Sequence, residues 1–139
     1  MLMGTYPHSL DAKNRLIIPS KLKSELGDTI VLSRDSDRCL AVYSIEEWER
    51  YAAKFDDHSK SSAKRVSRLV FGLGSQVQLD SQGRAVIPQN MVEYAGITKN
   101  VVIVGCGRYA EIWSEERWNQ FEAEADPDEI AEILESLGI

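Results

Sequence analysis

The sequence predicts a β-rich α+β protein made from two copies of one small module. Three observations carry that reading. A ten-residue block recurs: Leu10-Asp11-Ala12-Lys13-Asn14-Arg15-Leu16-Ile17-Ile18-Pro19 is answered by Leu79-Asp80-Ser81-Gln82-Gly83-Arg84-Ala85-Val86-Ile87-Pro88. Downstream, Tyr43-Ser44-Ile45-Glu46-Glu47-Trp48 is answered by Trp113-Ser114-Glu115-Glu116-Arg117-Trp118. Between and after the copies, apolar residues recur at helical spacing rather than in alternation. The boundaries that follow are residues 5–47 and 76–119 for the two modules and 120–139 for a helical tail.

The elements of each module follow in order. A short strand ends at Asp11 or Asp80. A tight turn comes next, Ala12-Lys13-Asn14 or Ser81-Gln82-Gly83. Gly83 is free to take positive φ, and Asn14 is among the few other residues that tolerate it. Leu16-Ile17-Ile18 and Ala85-Val86-Ile87 are apolar runs that predict strands buried on both faces. Pro19 and Pro88 stop those strands and open short helices, since the first helical position has no need of an N–H. The helices end at Gly27 and Gly96. Two further strands are expected near Thr29–Ser33 and Cys39–Tyr43, and near Asn100–Gly105 and Tyr109–Trp113. Ser44 caps the next helix with Glu47 completing a capping box; Ser114 is the matching cap, with Arg117 at the box position.

The segment from Phe55 to Leu73 reads as an amphipathic helix, because Val66, Leu69, Val70 and Leu73 share one face. Its opening stretch, Asp56-Asp57-His58-Ser59-Lys60, reads as a solvated loop. Asp126, Pro127 and Glu129 open a terminal helix whose apolar stripe is Ile130, Ile133, Leu134 and Leu137. That stripe must be covered, by the chain's own core or by a neighbouring subunit.

Composition limits the function. The formal net charge is −6, the opposite of the usual footprint of a nucleic-acid binder. The excess acid is concentrated in the tail, at Asp126, Asp128, Glu129, Glu132 and Glu135. The stretch from Asp11 to Lys23 is locally positive through Lys13, Arg15, Lys21 and Lys23, and the local field steers a ligand. Cys39 and Cys106 form no paired motif, so buried reduced thiols are expected and neither a disulfide framework nor a zinc site. No apolar run is long enough to span a bilayer. Met1-Leu2-Met3-Gly4 lacks the layout of a signal peptide, so a cytoplasmic protein without a membrane partner is expected.

The pattern Gly4-x-Tyr6-x-His8-x-Leu10-Asp11-x-Lys13-x-Arg15-Leu16-x-x-Pro19, with its second copy Leu79-Asp80-x-x-Gly83-Arg84-x-x-x-Pro88, resembles the MraZ family of transcriptional regulators. That family is built from two SpoVT/AbrB-like domains, each marked by an Asp-x-x-x-Arg element, and the likeness covers essentially the whole chain. Asn14 departs from the family's usual glycine. The resemblance implies two modules interlocked as a pseudo-twofold β-barrel. It implies a ring-shaped homo-oligomer that binds short direct repeats in double-stranded promoter DNA. The promoter would lie upstream of a division and cell-wall gene cluster, and the protein would associate with the nucleoid.

By spacing alone, Arg15 and Arg84 suit either a DNA contact or a structural pair with Asp11 and Asp80; the resemblance favours DNA. An arginine after a tight turn can reach a phosphate or grip a guanine edge. Asp11, Asp80 and Gly83 would hold the turns, and a pre-oriented guanidinium loses less entropy on binding. Lys13, Asn14 and Lys21 complete the candidate DNA-binding set, with Lys23 beside them. Their second-module counterparts include Gln82, Asn90 and Val92, so the first module should dominate affinity. His8 reads as a packing or turn residue. Trp48, Trp113 and Trp118 read as core or interface residues, and Lys64, Arg65 and Arg68 as a solvated face.

An enzyme would need a nucleophile with its base, a metal cluster or a carboxylate pair free to exchange protons. No such motif, metal site or cofactor site is expected. An arginine four residues after each aspartate should keep Asp11 and Asp80 ionised. The remaining rival is an interaction module, an antitoxin-like binder or an oligomeric scaffold, which the acidic amphipathic tail would suit.

Overall fold

The computed structural model describes residues Met1–Ile139. The first module contributes β1 (Leu2–Ser9), β2 (Arg15–Ile17), α1 (Ser20–Leu26), β3 (Thr29–Arg34) and β4 (Leu40–Ser44). It is followed by α2 (Ile45–Ala53) and α3 (Lys60–Val66), which runs into a π-helical turn at Ser67–Phe71. The second repeats the plan with β5 (Ser75–Gln78), β6 (Arg84–Val86), α4 (Gln89–Tyr94), β7 (Asn100–Gly107) and β8 (Ala110–Ser114). It ends in α5 (Glu115–Glu124) and α6 (Pro127–Ser136). No helix is long and apolar enough to cross a membrane.

The expected α+β class is therefore present. Six strands form one antiparallel sheet in the order β1-β7-β8-β4-β3-β5, and β2 pairs with β6 in a separate two-stranded ribbon. β1 pairs along its whole length with β7, from Leu2 opposite Gly107 to Ser9 opposite Asn100. β5 pairs with β3, and β4 with β8. Each module thus lends its first strand to the other's third. Pro7, which has no N–H to give a ladder, is tolerated because β1 is an edge strand. The large sheet stays open at β1 and β5, so the anticipated barrel is not found as a closed sheet.

Both modules feed one core. Leu16, Ile18, Leu22, Ile30 and Leu40 pack in a single cluster with Ala85, Ile87, Met91, Val101, Ile103 and Ile112. Cys39, Val102, Val104 and Trp113 form a small second cluster, with Trp118 packed against it. Trp48 joins Tyr43, Tyr51 and Phe71 in an aromatic group. The tryptophans thus pack as the sequence suggests.

Three expectations need correction. The strands after the turns are not buried on both faces: Leu16 and Ala85 are sealed, whereas Ile17 is 51% and Val86 54% exposed. A ribbon only two strands wide has one covered face, so alternation returns even in an apolar run. The linker helix starts at Lys60, after the solvated stretch as expected, but it is not α-helical throughout: it widens at Ser67, whose hydroxyl donates to the Ala63 carbonyl at 2.7 Å. Such back-bonding from serine commonly distorts a helix. The capping box is half made: Ser44 Oγ accepts from Glu47 N at 3.1 Å, but the Glu47 carboxylate turns to Arg50 at 3.4 Å. Ser114 caps α5 in the same way, accepting from Arg117 N at 3.1 Å.

Candidate nucleic-acid interface

The two Asp-x-x-x-Arg elements build nearly the same turn. Asn14 N donates to the Asp11 carbonyl at 3.0 Å, and Gly83 N to the Asp80 carbonyl at 2.9 Å. Each aspartate then staples its own loop. Asp11 Oδ1 accepts from Lys13 N and Arg15 N, both at 2.9 Å. Asp80 Oδ1 accepts from Gln82 N and Arg84 N, again both at 2.9 Å. Closing the turn needs positive φ at its last residue, and Asn14 has φ 57° where Gly83 has 75°.

The second carboxylate oxygen holds the arginine. Arg15 Nε donates to Asp11 Oδ2 at 2.5 Å, and Arg84 Nε to Asp80 Oδ2 at 2.7 Å. This occupies one guanidinium N–H and fixes its plane, and no hydrogen bond within the chain engages either Nη group of Arg15, 31% exposed, or of Arg84, 24% exposed. Donation by the Arg15 backbone N–H, aided by the Arg15 side chain, holds the Asp11 carboxyl below the usual range. Asp80 is lowered by the matching groups of Arg84. Both aspartates stay ionised, as the spacing suggested.

The ribbon brings the two turns onto one surface. Arg15 pairs opposite Val86 and Ile17 opposite Arg84, so these four side chains share the outer face while Leu16 and Ala85 point inward. Hydrogen bonds lock each module to the other: Ile18 N donates to the Gly83 carbonyl at 3.0 Å, and Ile87 N to the Asn14 carbonyl at 2.8 Å. Asn14 Nδ2 also donates to Gln89 Oε1 on α4 at 2.8 Å. Lys23 of α1 lies across the second turn; a Cβ on Gly83 would sit 3.6 Å from its Cδ.

The structure therefore gathers Asp11, Lys13, Asn14, Arg15, Asp80, Gly83 and Arg84 at the ribbon. Lys21 stands at its flank, where with Lys23, Ile17 and Gln82 it lines a shallow cavity of about 600 Å³. His8 lines the same cavity from β1. Lys64, Arg65 and Arg68 are exposed on the linker helix and its π turn, as a solvated face. Sequence reasoning missed Ile17 and Val86 as surface residues. The signal was present in Arg-Leu-Ile and Arg-Ala-Val, which alternate once each arginine is taken as outward-facing. It also missed Gln89, whose link to Asn14 no spacing rule reveals.

Paired α+β modules joined by an exposed ribbon, with an arginine clamped at each end of its outer face, define a two-module chain with a cationic turn surface. Comparison with known proteins gives that class a family. The model described as "MraZ protein, putative antitoxin-like" matches residues 1–71 and again residues 70–135. "Transcriptional regulator MraZ" of Clostridium tetani is 40% identical over 142 residues, covering the whole of both chains. The protein of the same name from Thermoanaerobacter pseudethanolicus is 43% identical over 143 residues, again covering both chains completely. The chain belongs to the MraZ family.

Proposed function

We propose that this chain is a sequence-specific, DNA-binding regulator of transcription that reads double-stranded promoter DNA with the β2/β6 ribbon. The observation that carries the reading is the outer face of that ribbon. Two arginines with fixed planes and free Nη groups flank two small apolar side chains, Ile17 and Val86. A two-stranded ribbon fits the major groove, where arginine pairs with guanine and an aliphatic group meets the thymine methyl. Arg15 and Arg84 are the readers. Lys13 and Lys21 contact phosphate and set the register, and Asn14 shapes the first turn. Asp11, Asp80 and Gly83 hold the turns.

The relatives' name, the two-segment match and the exchanged first strands support the wider reading. In it, residues 5–47 and 76–119 act as two interlocked modules related by a pseudo-twofold axis, with 120–139 as a tail. The protein works in the cytoplasm on the nucleoid, as a ring of identical subunits on repeated elements upstream of its own division and cell-wall gene cluster. The stripe Ile130, Ile133, Leu134 and Leu137 lies exposed along α6, as a helix covered by a neighbouring subunit would. Multivalent engagement also answers the charge problem, since several weak contacts on an acidic chain combine into tight binding.

The test is a titration of the full chain against promoter and scrambled duplexes over a salt series. The reading expects a strong promoter preference that Arg15→Ala removes. Equal binding to both duplexes would replace it with the interaction-module reading, which the family model's antitoxin-like description and the acidic tail would then favour.

A further inference from the structure

The face of the large sheet opposite the main core carries a cluster that the DNA reading leaves unused. Asp35 and Cys39 bracket the β3–β4 hairpin, closed by Asp35 N donating to the Cys39 carbonyl at 2.9 Å. Glu111 on β8 lies opposite Ala41, two residues beyond Cys39, so alternation puts Glu111 and Cys39 on the same side. One ligand atom from each of Asp35, Cys39 and Glu111 lies within 4.8 Å of the other two. Cys39 is fully buried and both carboxylates are half-buried.

No cation on the chain answers this group: neither Asp35 nor Glu111 takes part in any ion pair. The nearest arginines in sequence turn away. Arg34 and Arg38 lie over the Tyr94 ring, at 4.9 and 5.1 Å from its centre, and Arg34 Nε is buried without a hydrogen-bond partner. Each carboxylate is instead held by neutral donors on a single oxygen. Asp35 Oδ1 accepts from Ser36 N at 2.6 Å, and Glu111 Oε1 from Trp113 Nε1 at 3.0 Å. No hydrogen bond engages Asp35 Oδ2 or Glu111 Oε2. Second-sphere donors of this kind orient the ligands of bound metals.

We propose that Asp35, Cys39 and Glu111 form a site for one thiophilic divalent cation of the zinc class. A thiolate with two carboxylate oxygens suits zinc, which takes four ligands in a tetrahedron from sulfur, nitrogen and oxygen donors. A fourth ligand would be water, and Cys106 stands beside the group, its Sγ donating to Glu111 Oε1 at 3.6 Å; a surface cavity of about 630 Å³ is lined by both Asp35 and Cys106. That cavity borders the group at Asp35, the side from which an ion would enter. On binding, the Cys39 thiol gives its proton to water and a sulfur–metal bond forms. Asp35 and Cys39 come from the first module and Glu111 from the second, so the ion would clamp the two modules beside the β4–β8 pairing. Sequence spacing is blind to this set, because Glu111 is far from the other two along the chain and no histidine marks it.

The test uses the full chain, stripped with a chelator and titrated with zinc against a chromophoric competitor, and with cobalt(II) for its spectrum. The expected result is one ion per chain and a thiolate-to-cobalt charge-transfer band that Cys39→Ser removes. Glu111→Gln, which keeps the shape and the acceptor for Trp113, should bind zinc at least about tenfold more weakly, by analogy with the loss seen when metal-site partners are removed. Its circular dichroism should match the parent, so this variant decides the matter if Cys39→Ser does not fold. Absence of stoichiometric binding at micromolar zinc would overturn the proposal. So would binding unchanged in Glu111→Gln and abolished by His8→Ala with His58→Ala, which marks adventitious sites.

Discussion

Arg15→Ala tests how the clamped arginine acts. With Nε engaged by Asp11 Oδ2 at 2.5 Å, the proposed DNA contact of Arg15 would run only through its two Nη groups. A parallel pair of bonds to a guanine edge is worth about 1–3 kcal/mol of discrimination, or about 5–150-fold in the promoter-to-scramble ratio. A phosphate contact would leave that ratio alone and flatten the slope of log K against log salt by about 0.9. The two roles are therefore separable in one salt series. Arg84 has the same clamp at 2.7 Å, but Gln82, Asn90 and Val92 stand where the first module has Lys13, Lys21 and Lys23. Arg84→Ala should accordingly lose less. Fluorescence anisotropy on a duplex with a single repeat element avoids the compounding of losses across subunits. Equal losses for the two variants, or an Arg15→Ala protein with both ratio and slope intact, would refute the argument.

Three further outcomes are expected. A Cβ at Gly105 would sit 2.4 Å from Met3 N, so Gly105→Ala should prise β1 from β7 and destabilise the fold by about 1–3 kcal/mol, read as a lowered urea midpoint. Asp11 and Asp80 have lowered folded-state pKa values, so their stabilisation is complete above the ordinary carboxylate value, about pH 4, and is lost as pH falls through the folded values. Asp11→Asn with Asp80→Asn should flatten the acid limb of the stability profile, and an unchanged limb would count against the clamp. Ile133→Asp places a charge in the exposed stripe of α6 and should shift the protein to smaller species in sedimentation without loss of the single-chain fold; an unaltered distribution would remove α6 from the subunit contact.

Much of this was readable in the sequence because it depends on local chemistry. Asn14 and Gly83 mark the turns since few other residues accept positive φ there, and the spacing to Arg15 and Arg84 places each guanidinium on its own aspartate. Ser44, Ser114 and Asp126 announce helix starts by the same local logic. What escaped depends on tertiary pairing. Ile17 and Val86 look like core residues until β2 is seen to pair only with β6, leaving one face of the ribbon bare. The link from Asn14 to Gln89 and the meeting of Glu111 with Cys39 join distant segments, and no periodicity encodes them. The open sheet, in place of a closed barrel, likewise follows from which strands end at the edges rather than from any residue in them.

The ribbon face can be tested directly by cross-linking. With a cysteine placed at Ile17, in the middle of the proposed reading surface, and separately at Glu132 on α6, each protein is mixed with promoter duplex carrying a tethered disulfide in its major groove. The account predicts rapid, promoter-dependent capture through the Ile17→Cys protein and none above the parent through Glu132→Cys. Capture through α6, with the ribbon cysteine unreactive towards bound DNA, would contradict it.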